Sequence, residues 1–144
     1  MVREICEKEL NETVRLALEL WPHHTAEELA AEFERMRNNA DAGIFLAYAG
    51  GEAVGFAQCQ LRHEYVEGAK TSPVGYLEGI FVSRAYRKQG IAKRLLAACE
   101  SWANEKGCTE FASDCEITNT ESLCFHLSMG FTEANRIICF TKSI

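Results

Sequence analysis

Apolar residues recur at helical spacing from Glu9 to Leu20, with Leu10, Val14 and Leu18 on one face, and the pattern stops near Trp21-Pro22. A second helix is predicted to start at Thr25 and run to about Asn39, because Thr-Ala-Glu-Glu sets Glu28 three residues after a hydroxyl cap, the spacing of a capping box. Two strand-like runs, Ile44 to Ala49 and Ala53 to Leu61, flank Gly50-Gly51, a pair that accepts the backbone of a two-residue hairpin. His63 to Gly75, with Gly68 and Pro73, reads as a loop before an apolar strand from Tyr76 to Val82. A helix from about Ile91 to Lys106 is closed by Gly107, Thr109 to Asp114 is a strand, and Asn119 to Ser128 is a shorter helix ending at Met129-Gly130-Phe131. Arg136 to Lys142 closes the chain as a last strand. Two helices, a hairpin, two strand-helix units and a final strand describe an α/β domain: a mixed sheet covered by helices, with parallel pairing across the later helices.

Composition narrows the class. A chain of 144 residues with 47% hydrophobic content is one domain, residues 1–144, with a real core. No apolar stretch approaches the roughly 20 residues that span a bilayer, and Met1-Val2-Arg3-Glu4 leads into charge rather than a signal-peptide core, so no membrane is involved and the cytoplasm is expected. Cys6, Cys59, Cys99, Cys108, Cys115, Cys124 and Cys139 are scattered, odd in number and never C-x-x-C, which suits small buried hydrophobes in a reducing compartment. No metal is expected, since the adjacent His23 and His24 cannot face one site from a regular helix. A formal charge of −6 argues against nucleic acid.

One stretch reverses that sign. Arg84, Arg87, Lys88, Lys93 and Arg94 fall in a segment with no acidic residue, and within it Arg87-Lys88-Gln89-Gly90-Ile91-Ala92 joins a strand to a helix start. Unpaired amides and the positive end of the helix dipole make such a junction an anion site, and the local positive charge suits a polyanionic ligand that the rest of the surface repels. It carries neither the Gly-Lys-Ser/Thr of a P-loop nor three fingerprint glycines. Its pattern, R-x-x-G-x-A, resembles the acetyl-coenzyme-A pyrophosphate loop of the Gcn5-related N-acetyltransferases.

Five further segments resemble one branch of that superfamily, the aminoglycoside 6′-N-acetyltransferases of antibiotic resistance. They are Arg62 to Gly68, Thr71 to Val74, Tyr76 to Val82, Cys108 to Asp114 and His126 to Phe131. The likeness is dense from about residue 60 to 142 and looser before that, through Leu20-Trp21-Pro22. It implies the Gcn5-related fold, acetyl-CoA as co-substrate, an aminoglycoside acceptor and a homodimer, with the loop of Tyr65 reaching the partner's pocket.

Acetyl transfer from a thioester to an amine needs a held thioester, donors for its carbonyl oxygen, a neutral amine and a proton for the thiolate. Backbone amides of Ile80, Phe81 and Val82 are candidates to bind the pantetheine arm as an added strand, and Gly79 marks a bulge where an amide turns outward. Arg87, Lys88, Gln89, Gly90, Ile91 and Ala92 take the pyrophosphate. Glu78, in mid-strand among apolar neighbours, and Asp114, at the carboxyl end of the next strand, are the candidate acid-base and ammonium-binding groups, because a buried carboxylate is costly unless it has a partner. By resemblance, Trp21 and Tyr65 wall the sugar pocket, and His24, Glu64 and Glu67 add charge. Many superfamily members carry a tyrosine proton donor four residues before the Gly-Phe pair; here His126 stands there, either as general acid or as a packing residue with water doing the transfer. Asn119 and Ser122 are candidate pantetheine or phosphate contacts. Direct attack needs no cysteine nucleophile.

The residues leave three functions open. The acceptor is an aminoglycoside, or it is a polyamine, small metabolic amine or protein amino terminus, or the chain is a non-catalytic acyl-CoA-binding module. Intact Glu78 and Asp114 argue against the last.

Overall fold

In the computed structural model, which describes Met1–Ile144, the Gly50-Gly51 turn joins β2 (Ala42–Ala49) to β3 (Glu52–Arg62). Both glycines have positive φ, 58° and 84°, the conformation that a tight hairpin demands and that side chains resist. β4 (Val74–Val82) pairs antiparallel with β3, and β5 (Phe111–Ala112) pairs parallel with β4. The first strand was absent from the expected order: β1 (Val2–Glu4) pairs antiparallel with β2, giving a five-stranded sheet in the order β1-β2-β3-β4-β5. Three residues of mixed polarity at an exposed edge carry too little periodicity to be read as a strand.

α1 (Leu10–Leu20) and α2 (Ala26–Arg37) cover one face, where Leu16, Leu29 and Phe33 meet Leu46, Phe56 and Phe81. α3 (Ile91–Glu105) covers the other, with Leu95, Leu96, Cys99 and Trp102 against Ala57, Cys59, Leu77 and Val82. The capping box is formed: the Glu28 amide donates to Thr25 Oγ1 at 3.2 Å, and the Thr25 amide donates to Glu28 Oε2 at 3.0 Å. Gly107 follows α3 with φ of 92°. α4 (Thr120–Ser128) lies beyond β5.

Three expectations need correction. β5 spans two residues rather than Thr109 to Asp114, because it meets β4 only at Gly75–Phe111 and Tyr76–Ala112 before the strands part. Arg136 to Lys142 is not a strand of this sheet; it pairs with no strand of the chain, and Ile137, Ile138 and Phe140 are 65%, 80% and 87% exposed. Of the cysteines only Cys59, Cys99 and Cys108 are buried, whereas Cys6, Cys115, Cys124 and Cys139 lie outside the packed layers and are exposed.

Candidate active site

The site begins with an irregularity in the sheet. Gln58 pairs with Gly79 and Cys59 with Leu77, so Glu78 is an extra residue without a partner and forms the bulge expected at Gly79. Gly79 is bare for a second reason: a Cβ there would sit 2.6 Å from Cζ2 of Trp21, whose indole takes that space and meets Phe56 edge-on at 5.8 Å. Trp21 is thereby fixed over the bulge.

Glu78 is held by Arg62, whose Nη2 donates to Oε1 at 2.9 Å and to Oε2 at 3.2 Å, with Nε donating to Oε1 at 3.2 Å. The same guanidinium lies 3.4 Å above the Tyr76 ring centre, a cation–π contact. The Tyr76 hydroxyl donates to Asp114 Oδ2. Burial, reinforced by the Asp114 carboxylate, raises the phenol's pKa far above its ordinary value, so Tyr76 remains a hydrogen-bond donor at every physiological pH. Glu78, Arg62, Tyr76 and Asp114 form one continuous chain of contacts. Sequence reading singled out its two ends and missed its two middle members, because a cationic residue at the end of one strand and a phenol near the start of the next gave no signal.

β4 and β5 part after Tyr76–Ala112, and a cleft of about 770 Å³ opens between β5, α4, the 65–69 loop and the C-terminal segment. Tyr76, Asp114, Tyr65 and His126 reach it, and its ionised side chains are six carboxylates (Glu67, Glu100, Glu110, Asp114, Glu116, Glu133) against Arg62 and Arg136. Such a wall attracts polycations. Tyr65 is 81% exposed and donates to Glu67 at 2.6 Å, standing at the mouth rather than in the wall. His24 is on the other helix layer, 6.5 Å from Trp21 and 3.7 Å from Glu28.

His126 has both ring nitrogens committed to the protein. Nδ1 lies 2.7 Å from the Ser122 carbonyl oxygen, to which it donates, and Nε2 lies 2.7 Å from Ser113 Oγ. The ring ties α4 to β5 and packs against Phe131 at 5.1 Å. Asn119 and Ser122 also serve α4: Asn119 Oδ1 accepts from the Ser122 amide at 3.1 Å as the helix cap, and Ser122 Oγ is 3.3 Å from His126 Nδ1.

The open edge of β4 runs on toward the basic loop. The Ser83 amide donates to the Val54 carbonyl at 2.8 Å, so alternation directs the Phe81 amide into the sheet opposite Phe56 and the Ile80 and Val82 amides outward. Of the three amides expected to face the ligand, Phe81 is the one turned away. After the strand, Lys88 and Gly90 adopt φ of 60° and 79°, and no backbone carbonyl accepts from the amides of Lys88 through Lys93; the first intrahelical bond is Arg94 to Gly90 at 3.1 Å. That run of free amides at the start of a 15-residue helix is an anion nest. Arg87 braces it instead of pointing into it: Nε donates to the Val82 carbonyl at 2.9 Å and Nη1 reaches Glu121 at 3.7 Å. Gln89 reaches back to the Ala85 carbonyl at 3.4 Å.

The model of the acetyltransferase (GNAT) family matches residues 6–131. Among curated proteins, the aminoglycoside N(6′)-acetyltransferase type 1 of Salmonella typhimurium is 40% identical over 98% of this chain and 97% of its own, and that of Acinetobacter haemolyticus is 37% identical over 99% and 98%. Among solved structures, AAC(6′)-Iy in complex with the bisubstrate analogue CoA-S-monomethyl-acetylneamine superimposes with a TM-score of 0.97 at 39% identity, covering 100% of this chain and 98% of that one. The enzyme AAC(6′)-Ih from Acinetobacter baumannii does so with a TM-score of 0.95 at 39% identity, with the same coverage.

Proposed function

Because the chain belongs to the acetyltransferase (GNAT) family, we propose that it is an aminoglycoside 6′-N-acetyltransferase, which moves the acetyl group of acetyl-CoA to the 6′-amine of aminoglycoside antibiotics and so confers resistance. The observation that carries this reading is the presence of two oppositely charged sites on one strand, a free-amide nest after the carboxyl end of β4 and an acidic cleft where β5 leaves it. A polyanionic donor suits the first and a polycationic acceptor the second.

In this mechanism the amides of Lys88 through Lys93 receive the pyrophosphate, with Arg87 holding the loop to the end of β4. The outward amides of Ile80 and Val82 extend the sheet to the pantetheine arm and orient the thioester beside the bulge. Glu78 and Asp114 hold ammonium groups of the acceptor, and a carboxylate takes the proton that the reacting amine must lose before it attacks the carbonyl carbon. His126 is a strut, supported in that role by its two internal partners, and the departing thiolate takes its proton from water at the open edge. No metal enters any step. The reaction belongs to the cytoplasm, where free thiols stay reduced.

Purified protein with acetyl-CoA is expected to add a single acetyl group, seen by mass spectrometry, to kanamycin or tobramycin, and to leave polyamines and peptides largely unmodified. Drugs carrying a 6′-hydroxyl in place of the amine should be poor acceptors; equal turnover of the two kinds would exclude the regiochemistry.

The same reading includes a homodimer. The extended segment after Phe131 presents Ile137, Ile138 and Phe140 to solvent, and the outer edge of β5 is uncovered, so a second copy would bury both. Light scattering is expected to return twice the chain mass, and removal of residues 136–144 to return the monomer. A full-length monomer at assay concentrations refutes the dimer.

A further inference from the structure

Gln58 carries the one buried side-chain oxygen or nitrogen in the molecule that has no hydrogen-bond partner, its Oε1. The residue is 6% exposed and lies in the middle of β3, between Ala57 and Cys59, which both pack toward α3. Gln58 therefore faces the opposite way. It stands directly across from Gly79, and opposed residues of an antiparallel pair share a face, so its carboxamide lies on the side where Trp21 covers the bulge. Arg62, four residues on along the same strand and the same face, holds Glu78. The carboxamide is thus on the face of the sheet that carries the indole and the Arg62–Glu78 pair.

A carboxamide gains nothing from such a position in the free protein. Apolar side chains of similar volume would fill the space without stranding an acceptor, and natural chains rarely leave one stranded. A stranded polar group that persists calls for an explanation, and a ligand that completes it is one.

We propose that Gln58 is an acceptor-binding residue whose carboxamide oxygen receives an N–H hydrogen bond from the reacting amine of the acceptor. The proposal rests on the acetyltransferase reading given above. A neutral oxygen suits this contact better than a carboxylate. It holds the nitrogen both as ammonium and as free amine, whereas an adjacent negative charge favours the protonated form and opposes the proton loss that attack requires. Gln58 would position the nitrogen while the carboxylates supply charge and proton acceptance.

The test uses the full chain carrying Gln58→Leu or, as a second variant nearer in shape, Gln58→Met. The expected result is a fall of about tenfold or more in kcat/KM for kanamycin, since a lost hydrogen bond to a charged group is of that size. Acetyl-CoA affinity, measured by calorimetry without acceptor, should stay within about twofold, and the thermal midpoint should hold or rise because an unpaired buried polar atom has been removed. A merely structural glutamine predicts the reverse pattern, a lowered midpoint with kcat/KM little changed in the folded fraction, and that outcome overturns the proposal. Unfolding of both variants overturns it too, because it would mean that the carboxamide is satisfied within the protein. If wild-type protein acetylates no aminoglycoside, the function itself fails and this assignment with it; an active wild type with inert substitutions removes only the role of Gln58.

Discussion

Glu78→Gln is expected to lower kcat by about a hundredfold or more, the usual size of a lost general base, with little change in the aminoglycoside KM. Asp114→Asn is expected to do the opposite, raising KM and sparing kcat. The difference follows from where the fold puts the two groups. Glu78 is the extra residue of the bulge, beside the strand edge that would align the thioester, whereas Asp114 is fixed by the Tyr76 hydroxyl where β5 has already left β4. A group next to the reacting carbon acts on the chemical step; one on the cleft wall binds ground state and transition state alike. The amides keep size and hydrogen bonding, but Glu78→Gln also leaves Arg62 without its counter-ion. Arg62→Met combined with Glu78→Gln separates the effects: if the double variant recovers kcat, the defect was the freed cation and not the missing base. Steady-state kinetics against pH for the single variants decide the roles. Interchanged patterns would exchange the two residues, and near-wild-type kinetics in both would refute this site.

What could be read from the chain was whatever local chemistry fixes. The Thr25–Glu28 box, the two-glycine hairpin, the bulge at Gly79 and the glycine after α3 each depend on a few neighbouring residues whose requirements are stereochemical, and each is formed. Elements that depend on partners were legible only in outline. β5 is short because its ladder ends where the sheet splays, and Arg136 to Lys142 pairs with no strand of its own chain. β1 exists because β2 offers it an edge, not because Val2–Glu4 prefers to be extended.

The candidate site divides the same way. Glu78 and Asp114 stood out because a carboxylate in an apolar strand, or at its carboxyl end, is expensive without a use. Arg62 and Tyr76 did not, since nothing in one dimension says that a guanidinium at the end of β3 will lie over a ring in β4 and bridge to Glu78. Polar residues at a helix start, such as Asn119 and Ser122, serve caps and ligands alike, and the bond from the Ser122 amide to Asn119 Oδ1, which makes the cap, is invisible in one dimension. Gln58 was passed over because a glutamine in a strand is ordinary until its burial and its unpaired oxygen are seen.

Gly90→Asp is expected to weaken acetyl-CoA by at least about tenfold while leaving aminoglycoside affinity within about twofold, a separation that calorimetry with each ligand measures directly. Two costs add at that position. Gly90 has φ of 79°, which an L-residue adopts at a cost of about 1 kcal/mol or more, so the loop would shift away from its nest geometry. No atom lies within 4 Å of the point where a Cβ would stand on Gly90, so the new carboxylate meets open space rather than a steric block, and its charge falls where the free amides of Lys88 through Lys93 would receive the pyrophosphate. Gly90→Ala carries the backbone cost alone and should lose less. Arg87→Glu with Lys88→Glu also adds negative charge, but it cuts the Arg87 brace to the Val82 carbonyl as well, so its larger loss should come with a larger drop in thermal midpoint than the backbone cost alone gives Gly90→Asp. Parallel losses for donor and acceptor in Gly90→Asp would mean that the loop supports the whole fold, and the anion site would have to be sought elsewhere.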